Sequence, residues 1–379
     1  MYFRLNPECY LIKGEKLGAI YDLIDEKIYA LDQQETQIVT SCEKNNPVRG
    51  DEKLLFKLKQ LRTGKFYKNK VYIQKLRLGS PIKEMESDPP ALDRAFLEIN
   101  NTCNRNCWFC GYNGIKRSFG CMGCNKWNEN GKTLSVEKWK VIIDELRDLD
   151  CKDIFITGGD LTLVWNKTIE ILDYATEKFR NIYITLHQQS LSPIKVTELS
   201  NRANIIVQTD DINTVQSRDL VALVVVEPEE WEKASNAKRD NMLLSFAVKG
   251  CDSLCSDLPM MSKKKILPIS MYKFMDNLQY HPCLGHTLAI CYNGNTIPCP
   301  MMRSHSFGNV NDVELYTLFE KEWEEINKYW ELNLDKIEKC TSCEFRYTCA
   351  DCRALEESLS GKLNGKILCN YNPKEGVWL

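Results

Sequence analysis

The sequence lacks long apolar runs and any strong excess of charge. No stretch approaches the roughly 18 consecutive apolar residues that span a bilayer, and the start MYFRLNPECYLIKG has no basic segment followed by an apolar signal core. The 50 basic and 52 acidic side chains leave a formal net charge of −2, so no global field directs the chain to a membrane or to nucleic acid. We expect a cytoplasmic protein with no membrane partner, and the charge balance does not favour nucleic acid as a partner.

Histidine is scarce, whereas cysteine is abundant, with 4 and 18 residues respectively in a chain of 379. The cysteine content is below the roughly 8–10% of a small disulfide scaffold, and the overall composition is that of a globular protein with two or three domains. In a reducing compartment such cysteines are more often metal ligands or catalytic thiols than disulfides. Packing or surface roles are the default for the histidines, and none is assigned as a ligand: His187, His281, His286 and His305.

The middle of the chain alternates between strand and helix patterns. The clearest helix has Val136, Trp139, Ile143 and Leu146 on one face. This alternation predicts a parallel sheet, open or curled into a partial barrel, with its chemistry at the carboxyl ends of the strands. Short apolar runs rich in β-branched and aromatic residues predict six strands, at 95–99, 153–157, 181–186, 204–209, 220–226 and 242–248.

Residues 1–85 follow a different pattern, which predicts a small α+β domain of strands followed by two helices. Leucines within 54–61 mark the second helix, which Gly64 closes. Eleven Lys or Arg residues lie within 49–83 against two acidic residues, which indicates either a solvated helix face or a docking surface for an acidic peptide or nucleic acid. Residues 86–94 contain prolines and are interpreted as a linker.

The first group of cysteines is CNRNCWFC, in which Cys103, Cys107 and Cys110 have the spacing C-x3-C-x2-C just past the first predicted strand. Three close thiolates can hold three irons of a cubane cluster and leave the fourth iron open. A zinc site normally requires a fourth protein ligand, and no histidine lies nearby. The local sequence therefore favours an incomplete iron-sulfur site over structural zinc.

A second, denser group lies near the carboxyl terminus. CTSCEFRYTCADC has the spacing C-x2-C-x5-C-x2-C, in which the two pairs are closer together than the roughly 15–20 residues of a zinc ribbon. Dense thiolates without histidine suit iron-sulfur clusters. The cysteines of this region are Cys283, Cys291, Cys299, Cys340, Cys343, Cys349, Cys352 and Cys369.

The C-x3-C-x2-C motif, with Phe109 before its last cysteine, resembles that of the radical SAM enzymes. This resemblance implies that Phe109 lies beside the bound cofactor. The resemblance implies a partial (β/α)6 TIM-type barrel at residues 95–275 and a [4Fe-4S] cluster whose open iron binds S-adenosylmethionine. The bound cofactor would yield a 5′-deoxyadenosyl radical.

Three further features of the barrel region are compared with that family. Gly158-Gly159-Asp160, just past the second predicted strand, is similar to the family's Gly-Gly-Glu-Pro segment, although the acid is shorter and the proline is missing. The resemblance also implies Gln208 and Arg218 as weaker candidates for contacts to the ribose and carboxylate of S-adenosylmethionine.

The carboxyl-terminal cysteines, with Gly294 and the tail CNYNPKEGVW, resemble the SPASM extension of radical SAM enzymes. The resemblance implies two auxiliary [4Fe-4S] clusters within residues 276–379. Cys291 lies between the fixed points of the motif, and without it the nearer cluster would keep an open iron for a substrate thiolate. By position, the nearer cluster would use Cys283, Cys291, Cys299 and Cys352, and the farther cluster Cys340, Cys343, Cys349 and Cys369.

Residues 1–85 resemble the winged-helix-like element that binds leader peptides, so the whole chain resembles a radical SAM/SPASM peptide maturase. This implies a ribosomally made precursor peptide whose leader docks on residues 1–85 and a reductant such as flavodoxin or ferredoxin. The first expectation is a thioether or another side-chain crosslink, with carbon-carbon coupling and epimerisation left open. No general acid or base is assigned.

Two other functions are consistent with the motifs. One is side-chain oxidation of a protein, as in the sulfatase-modifying enzymes, which need no leader-binding domain. The other is an iron-sulfur regulator that grips DNA through its winged-helix-like region. The regulator leaves the open cluster and Gly158-Gly159-Asp160 unexplained.

Seven cysteines lie outside both motifs. Cys121 and Cys124 could meet Cys251 and Cys255 at the carboxyl edge of the sheet as an extra metal site, for zinc or a further cluster; otherwise they are loop thiols. Small buried hydrophobic roles are expected for the isolated cysteines Cys9, Cys42 and Cys151.

Overall fold

The computed structural model describes residues 1–48, 53–77, 91–213, 220–248, 258, 260, 266 and 268–379. Three of the predicted site residues, Arg218, Cys251 and Cys255, lie outside the described residues. Within these ranges, none of the helices has the length and apolar character needed to cross a membrane.

The amino-terminal module contains a three-stranded meander, a separate pair of strands and two helices. Asp32 begins the first helix with a capping box: its carboxylate accepts from Glu35 N at 2.8 Å, and the Glu35 carboxylate accepts from Asp32 N at 3.0 Å. The predicted second helix is present, but Gly64 opens a strand instead of capping that helix. Glycine is needed at this place in the strand, because a Cβ there would lie 2.4 Å from the Phe3 ring. The elements are β1 (Tyr2–Leu5), β2 (Cys9–Lys13), β3 (Gly18–Asp22), β4 (Lys27–Leu31), α1 (Gln33–Glu43), α2 (Lys53–Gln60) and β5 (Gly64–Tyr67).

Both faces of the meander β2–β3–β4 are covered. Ile20 packs among residues of the two helices and the β1–β5 pair, whereas its neighbour Tyr21 points to the opposite face, as successive strand residues do. The Tyr21 hydroxyl donates to Glu344 O at 2.9 Å, in the carboxyl-terminal region of the chain. In the described part of the chain, the edge strand β4 pairs only with β3.

A large parallel sheet forms the centre of the molecule, and all six predicted strands are present in it. Seven neighbouring strands run parallel, because Thr287–Ile290 from the carboxyl-terminal region joins the open edge of the first predicted strand. The carboxyl ends therefore meet along one edge. The six strands are β6 (Arg94–Glu98), β8 (Asp153–Thr157), β9 (Asn181–His187), β10 (Asn204–Thr209), β11 (Val221–Val226) and β12 (Met242–Val248), with α3 (Val136–Asp148), α4 (Trp165–Thr176), α5 (Pro193–Ser200) and α6 (Trp231–Asn236) between them.

The two faces of this sheet differ in chemistry. The aliphatic side chains of the outer face pack on the helices. Trp139 of α3 is fully buried there, as its helical spacing predicted. The inner face has an aromatic stack in which the Phe96 and Phe155 rings are 4.9 Å apart and the Phe155 and Tyr183 rings 4.5 Å apart. Two residues further along each strand the inward side chain is polar, with Glu98 following Phe96 and Thr157 following Phe155.

Residues 117–125, which we call the plug segment, lie against the polar part of this inner face. The segment starts in β7 (Lys116–Arg117), which pairs antiparallel with the end of β12. One inward polar side chain from each of four strands then donates to a backbone carbonyl of the segment. These donors are Thr157 to Gly123 O, Thr185 to Met122 O, Gln208 to Cys124 O and Ser245 to Ser118 O.

The carboxyl-terminal region is built on β6, the first predicted strand of the large parallel sheet. Arg303 Nη1 lies 2.7 Å from Glu98 Oε2, Arg303 Nε donates to Glu129 at 2.8 Å, and Trp127 Nε1 donates to Glu98 at 2.9 Å. This buried ion pair ties the region to the end of β6. Its elements are α7 (Met271–Gln279), β13 (Thr287–Ile290), β14 (Asn295–Ile297), β15 (Gly308–Asn309), α8 (Leu315–Trp330), α9 (Arg353–Ser360), β16 (Tyr371–Asn372) and β17 (Val377–Trp378).

Replacing Arg303 by methionine should lower the free energy of unfolding by about 3–5 kcal/mol, because Glu98 is left as an uncompensated buried charge. Burial raises the pKa of Glu98 against the opposing effect of Arg303. Without Arg303 that pKa rises further, so stability should fall more at pH 8 than at pH 5. Anaerobic urea denaturation followed by circular dichroism measures both effects.

The double variant Glu98→Gln/Arg303→Met is the control, since it removes the buried charge and should recover most of the loss. A loss below about 1 kcal/mol in Arg303→Met, the value typical of exposed ion pairs, would contradict the prediction.

Candidate functional site

The loops that follow β6 and β8 are joined by backbone hydrogen bonds. Gly159 N donates to Asn100 O at 3.1 Å, and Asp160 N donates to Thr102 O at 2.8 Å. A Cβ at Gly158 would lie 2.4 Å from Asn100 O, and one at Gly159 would lie 2.3 Å from Thr102 O. Only glycine therefore permits this approach, which fixes the start of the loop that carries the first cysteine group.

The thiols of Cys103, Cys107 and Cys110 line one cleft at the carboxyl edge, together with Gly159 and Asp160. Within the cysteine loop, Cys110 N donates to Cys107 O at 3.1 Å, and Arg105 N donates to Cys103 Sγ at 3.4 Å. Burial raises the pKa of Cys107 to about 11, and burial also raises the pKa of Cys103. Cys103 and Cys107 are thus protonated in the protein alone, and metal binding at these two thiols would release their protons.

Arg117 gives a test of whether this cleft fits an iron-sulfur cluster. Its guanidinium is 1% exposed, and Nη2 donates to Cys124 O at 3.0 Å, but Nε and Nη1 have no hydrogen-bond partner among the described residues. Its strongest electrostatic neighbours are the thiols of Cys124, Cys110 and Cys107. A buried cation needs an anionic partner. A cluster held by thiolates is such an anion, so the residues present fit a [4Fe-4S] cluster here.

Phe109, predicted to sit beside the cofactor, anchors the cysteine loop. Its ring is buried against Val225 and Ala247, near the ends of β11 and β12, and the Arg117 guanidinium lies 5.2 Å from the ring centroid. Phe109 therefore packs between the strand ends and the guanidinium, and it also lines the cleft of the first cysteine group.

The carboxylate of Asp160 already has several donors from this chain. Oδ1 accepts from Thr162 N at 3.0 Å and Thr162 Oγ1 at 2.7 Å, whereas Oδ2 accepts from Ser190 Oγ at 3.0 Å and lies 3.4 Å from Arg105 Nε. Burial opposes ionisation, but these hydrogen bonds and Arg105 outweigh it and lower the pKa of Asp160. The amino group of a bound S-adenosylmethionine could therefore donate to this carboxylate only if it shared an oxygen with one of those donors or displaced that donor.

Gln208, a second predicted cofactor contact, is 1% exposed and holds the plug segment. Its Nε2 donates to Cys124 Sγ at 3.1 Å as well as to Cys124 O, while Oε1 has no partner among the described residues. Cys124 thereby lines the same cleft as the first cysteine group, and so does His187. Sequence reasoning assigned neither residue to this cleft, because no motif spacing relates them to Cys110.

A second cavity, in the carboxyl-terminal region, is lined by the four cysteines predicted for the farther auxiliary cluster. Lys366 is the buried cation of this site, with Cys349 and Cys340 among its electrostatic neighbours. Its Nζ lies 2.7 Å from Asp351 Oδ1 and 2.6 Å from Glu356 Oε1. The lining cysteines are Cys340, Cys343, Cys349 and Cys369.

A third set of thiols differs from the predicted nearer set. Cys283, Cys299 and Cys352 are mutual electrostatic neighbours, and Cys121 of the plug segment lies among them. Cys291 instead has Glu98, Arg303 and Glu129 as its electrostatic neighbours. Cys121 and Cys124, predicted as one possible pair of ligands, therefore belong to two different sites.

A fully buried polar chain connects the two carboxyl-terminal thiol sets. His281 Nδ1 accepts from Cys283 N at 3.0 Å, which places the ring proton on Nε2, 2.9 Å from Asp351 Oδ2. Burial opposes ionisation of Asp351, but Lys366 and His281 outweigh it and hold its pKa well below the usual range. This histidine, unassigned from the sequence, orients the segments that carry both sets.

Within the described ranges, no group of three or more His, Cys, Asp or Glu side chains is arranged to hold a metal ion. This finding concerns single ions, because the thiolates of a cubane each bind a different iron.

The fold and this geometry define an α/β protein with a cysteine-lined cleft at the carboxyl edge of a parallel sheet. Residues 97–213 match the family model of the radical SAM superfamily. The matched segment includes the first cysteine group, Gly158-Gly159-Asp160 and Gln208. No curated protein matches the chain.

Among solved structures, the chain is similar to SuiB from Streptococcus suis. The crystal structure of SuiB has 11% sequence identity to this chain and a TM-score of 0.45. For SuiB bound to the precursor peptide SuiA these values are 12% and 0.47, and for SuiB bound to S-adenosylmethionine they are 11% and 0.46. Each similarity covers 93% of this chain and 96% of the SuiB chain. At this identity and TM-score, the similarity does not indicate a function for the chain.

Arg117→Met should have opposite effects on the protein without and with its cluster. Without iron, removing an unpaired buried charge should raise the free energy of unfolding by about 1–4 kcal/mol, as when other buried charges are replaced by apolar side chains. After reconstitution, the first cluster should be lost faster to a chelator, because its cationic neighbour is gone. Denaturation of the iron-free protein and iron release followed by absorbance measure the two effects.

Arg180→Met, which removes an exposed arginine, is the matched control and should change neither quantity. Destabilisation of iron-free Arg117→Met, with unchanged iron release, would show that Arg117 only supports the plug segment.

Proposed function

We propose that the chain is a radical S-adenosylmethionine enzyme that modifies a peptide. The observation that carries the proposal is the cleft in which Cys103, Cys107 and Cys110 meet the Gly158-Gly159-Asp160 turn, within the segment that matches the radical SAM superfamily. When bound to these thiolates, a [4Fe-4S] cluster and S-adenosylmethionine supply a 5′-deoxyadenosyl radical, which abstracts hydrogen from carbon.

The chain's own residues hold and close the reaction site. Gly158 and Gly159 let the two loops approach, and the plug segment occupies the inner face of the sheet behind the cleft. The cleft is flanked by exposed aromatic side chains: Trp108, whose indole donates to Asp210 at 3.2 Å, and Tyr112, whose ring lies 4.7 Å from Lys126 Nζ. Exposed aromatics of this kind suit contacts with a peptide.

The carboxyl-terminal thiol sets support two auxiliary [4Fe-4S] clusters in the proposed enzyme. Each set has four cysteines and a cationic neighbour, Lys366 for the farther set and Arg94 for the nearer. Bound there, the clusters supply one-electron transfer. Such transfer is what an oxidative coupling requires, and we propose a thioether or another side-chain crosslink as the product.

The edge of β4 is the proposed docking site for the leader of the peptide. A groove of about 370 Å³ runs along Glu26–Ala30 and is closed on its other side by Pro268 and Phe345. Because β4 pairs only with β3 in the described part of the chain, its free backbone groups could take an extended peptide as a fourth strand. The docked segment would contact both the amino-terminal module and the carboxyl-terminal region.

The charge of the amino-terminal module supports an acidic partner. Lys53, Lys57, Lys59 and Lys65, on α2 and β5, are exposed and form no ion pair with another described residue. Unpaired lysines on one small module attract acidic segments at low ionic strength.

The proposed activity predicts cleavage of S-adenosylmethionine by the reduced, reconstituted chain. We expect about twelve irons per chain, as three [4Fe-4S] clusters require, and formation of 5′-deoxyadenosine. The triple variant Cys103→Ala/Cys107→Ala/Cys110→Ala should retain about eight irons and form no 5′-deoxyadenosine. Anaerobic iron analysis and liquid chromatography measure both quantities.

Cys42→Ala, which removes a buried thiol of the amino-terminal module, is the control and should match the natural chain. An iron-loaded, reduced chain that leaves S-adenosylmethionine intact would contradict the proposed activity.

The docking proposal predicts that charge reversal on the module weakens peptide binding. The variant Lys57→Glu/Lys59→Glu/Lys65→Glu should bind a synthetic peptide rich in Asp and Glu about tenfold more weakly at low salt, and the difference should shrink as salt rises. Fluorescence anisotropy of the labelled peptide measures the affinity.

Lys132→Glu/Lys321→Glu/Lys374→Glu makes the same change in net charge at exposed positions elsewhere and should bind normally. Salt-sensitive binding of duplex DNA, but not of the peptide, would favour the nucleic-acid regulator instead.

A further inference from the structure

We infer that Cys121, carried by the plug segment of the barrel, is the fourth thiolate of the nearer auxiliary site and completes a set with Cys283, Cys299 and Cys352. Cys291 is then not a ligand. The inference rests on the proposed function, because it requires an auxiliary cluster at this site.

The contacts of Cys121 define the set. Its thiol is an electrostatic neighbour of the Cys299 thiol. Among charged neighbours, Cys121 is the strongest for Cys283, and both of these thiols act on Cys352. Cys121 and Cys352 also pack against the main hydrophobic core, to which Cys299 belongs. Four thiols from three separate parts of the chain thus converge on one place.

Hydrogen bonds on either side hold Cys121 in that place. Lys116 Nζ, just before the plug segment, donates to Met301 O at 2.5 Å, two residues past Cys299. Gly120 lies so close to the same residue that a Cβ there would be 2.7 Å from Met301 Sδ. After Cys121, Thr185 binds Met122 O. The backbone around Cys121 therefore packs against the segment that carries Cys299.

Cys291 has a different environment. It is 1% exposed and packs with Phe96, Ala289 and Ile297 on the inner face of the sheet, in a cluster against which Cys121 also packs. Among charged groups, the Glu98 carboxylate is the strongest electrostatic neighbour of its thiol. Glu98 is also bound by Arg303, so this thiol belongs to the ion-pair network that joins β6 to the carboxyl-terminal region.

The charge around the converging thiols fits an anionic site. Arg94, at the start of β6, has Cys283 and Cys121 among its electrostatic neighbours, and its Nη2 lies 3.2 Å from Asp93 Oδ2. The guanidinium is thus shared between one carboxylate and two of the four proposed ligands. A cation beside thiolates stabilises their charged form.

This assignment limits what the nearer site can do. Four thiolates from the chain complete the coordination of a cubane and leave no iron open to a substrate thiolate. The nearer cluster would then transfer electrons without binding the peptide. It would also tie the barrel to the carboxyl-terminal region through the same segment that places Cys124 in the first cleft.

Paired alanine variants in a simplified background test the inference. The background is the full chain with Cys103→Ala/Cys107→Ala/Cys110→Ala, which should hold about eight irons in its two auxiliary clusters. Adding Cys121→Ala should remove between one and four irons and change the electron paramagnetic resonance spectrum of the reduced protein. Adding Cys291→Ala should leave both unchanged. Cys121→Ser, a smaller structural change, should behave like Cys121→Ala.

An added small thiol, 2-mercaptoethanol, gives a readout that a folding defect would not produce. It should alter the spectrum of the Cys121→Ala protein by filling the vacated position, but not that of the background or of Cys291→Ala. A spectral change in the background itself would show an open iron and overturn the inference, as would loss of iron in Cys291→Ala but not in Cys121→Ala.

The failures of the inference and of the proposed function are distinguishable. A background that holds about eight irons, with Cys121→Ala unchanged, overturns only the assignment of Cys121. A background that binds no iron removes both auxiliary clusters and the inference with them. Cleavage of S-adenosylmethionine by the natural chain, measured separately, decides the radical chemistry in either case.

Discussion

The need to hydrogen-bond backbone carbonyls on the inner face of the sheet governs the rest of the structure. A segment placed there would be unstable unless each buried carbonyl found a donor. Thr157, Thr185, Gln208 and Ser245 supply those donors, one from each of four strands, and so fix the path of the plug segment. That path decides which thiols face which site.

Positive charge beside the thiols is the second constraint, and it recurs at each of the three thiol sets. Arg117 lies beside the first set, Arg94 beside the nearer carboxyl-terminal set and Lys366 beside the farther one. The pairing is least complete at Arg117, where two nitrogens have no partner among the described residues. At that position the protein therefore holds a buried charge whose anionic partner a thiolate-bound cluster would supply.

Local patterns in the sequence predicted much of this arrangement. The six strands follow from short apolar runs, and Cys340, Cys343 and Cys349, close in sequence, line one cavity with Cys369. Cys121 and Cys124 were not separable by such patterns, because their sites depend on hydrogen bonds to strands 34 to 127 residues away in sequence. Gln208, predicted to touch the cofactor, lines the cleft of the first cysteine group and also binds Cys124 there. The leader-binding role of residues 1–85 stays a prediction.

The covered meander fixes the position of the amino-terminal module relative to the carboxyl-terminal region. Tyr21 binds Glu344 O on one face, and Glu15 N donates to Ser342 O nearby, so the amino-terminal module cannot swing on a tether. Anything that lies along β4 is consequently held at one distance from the cleft at the carboxyl edge. A long flexible substrate held along β4 would reach the cleft only after a fixed number of residues. That number, and not the neighbouring sequence, would then determine which side chain enters the cleft.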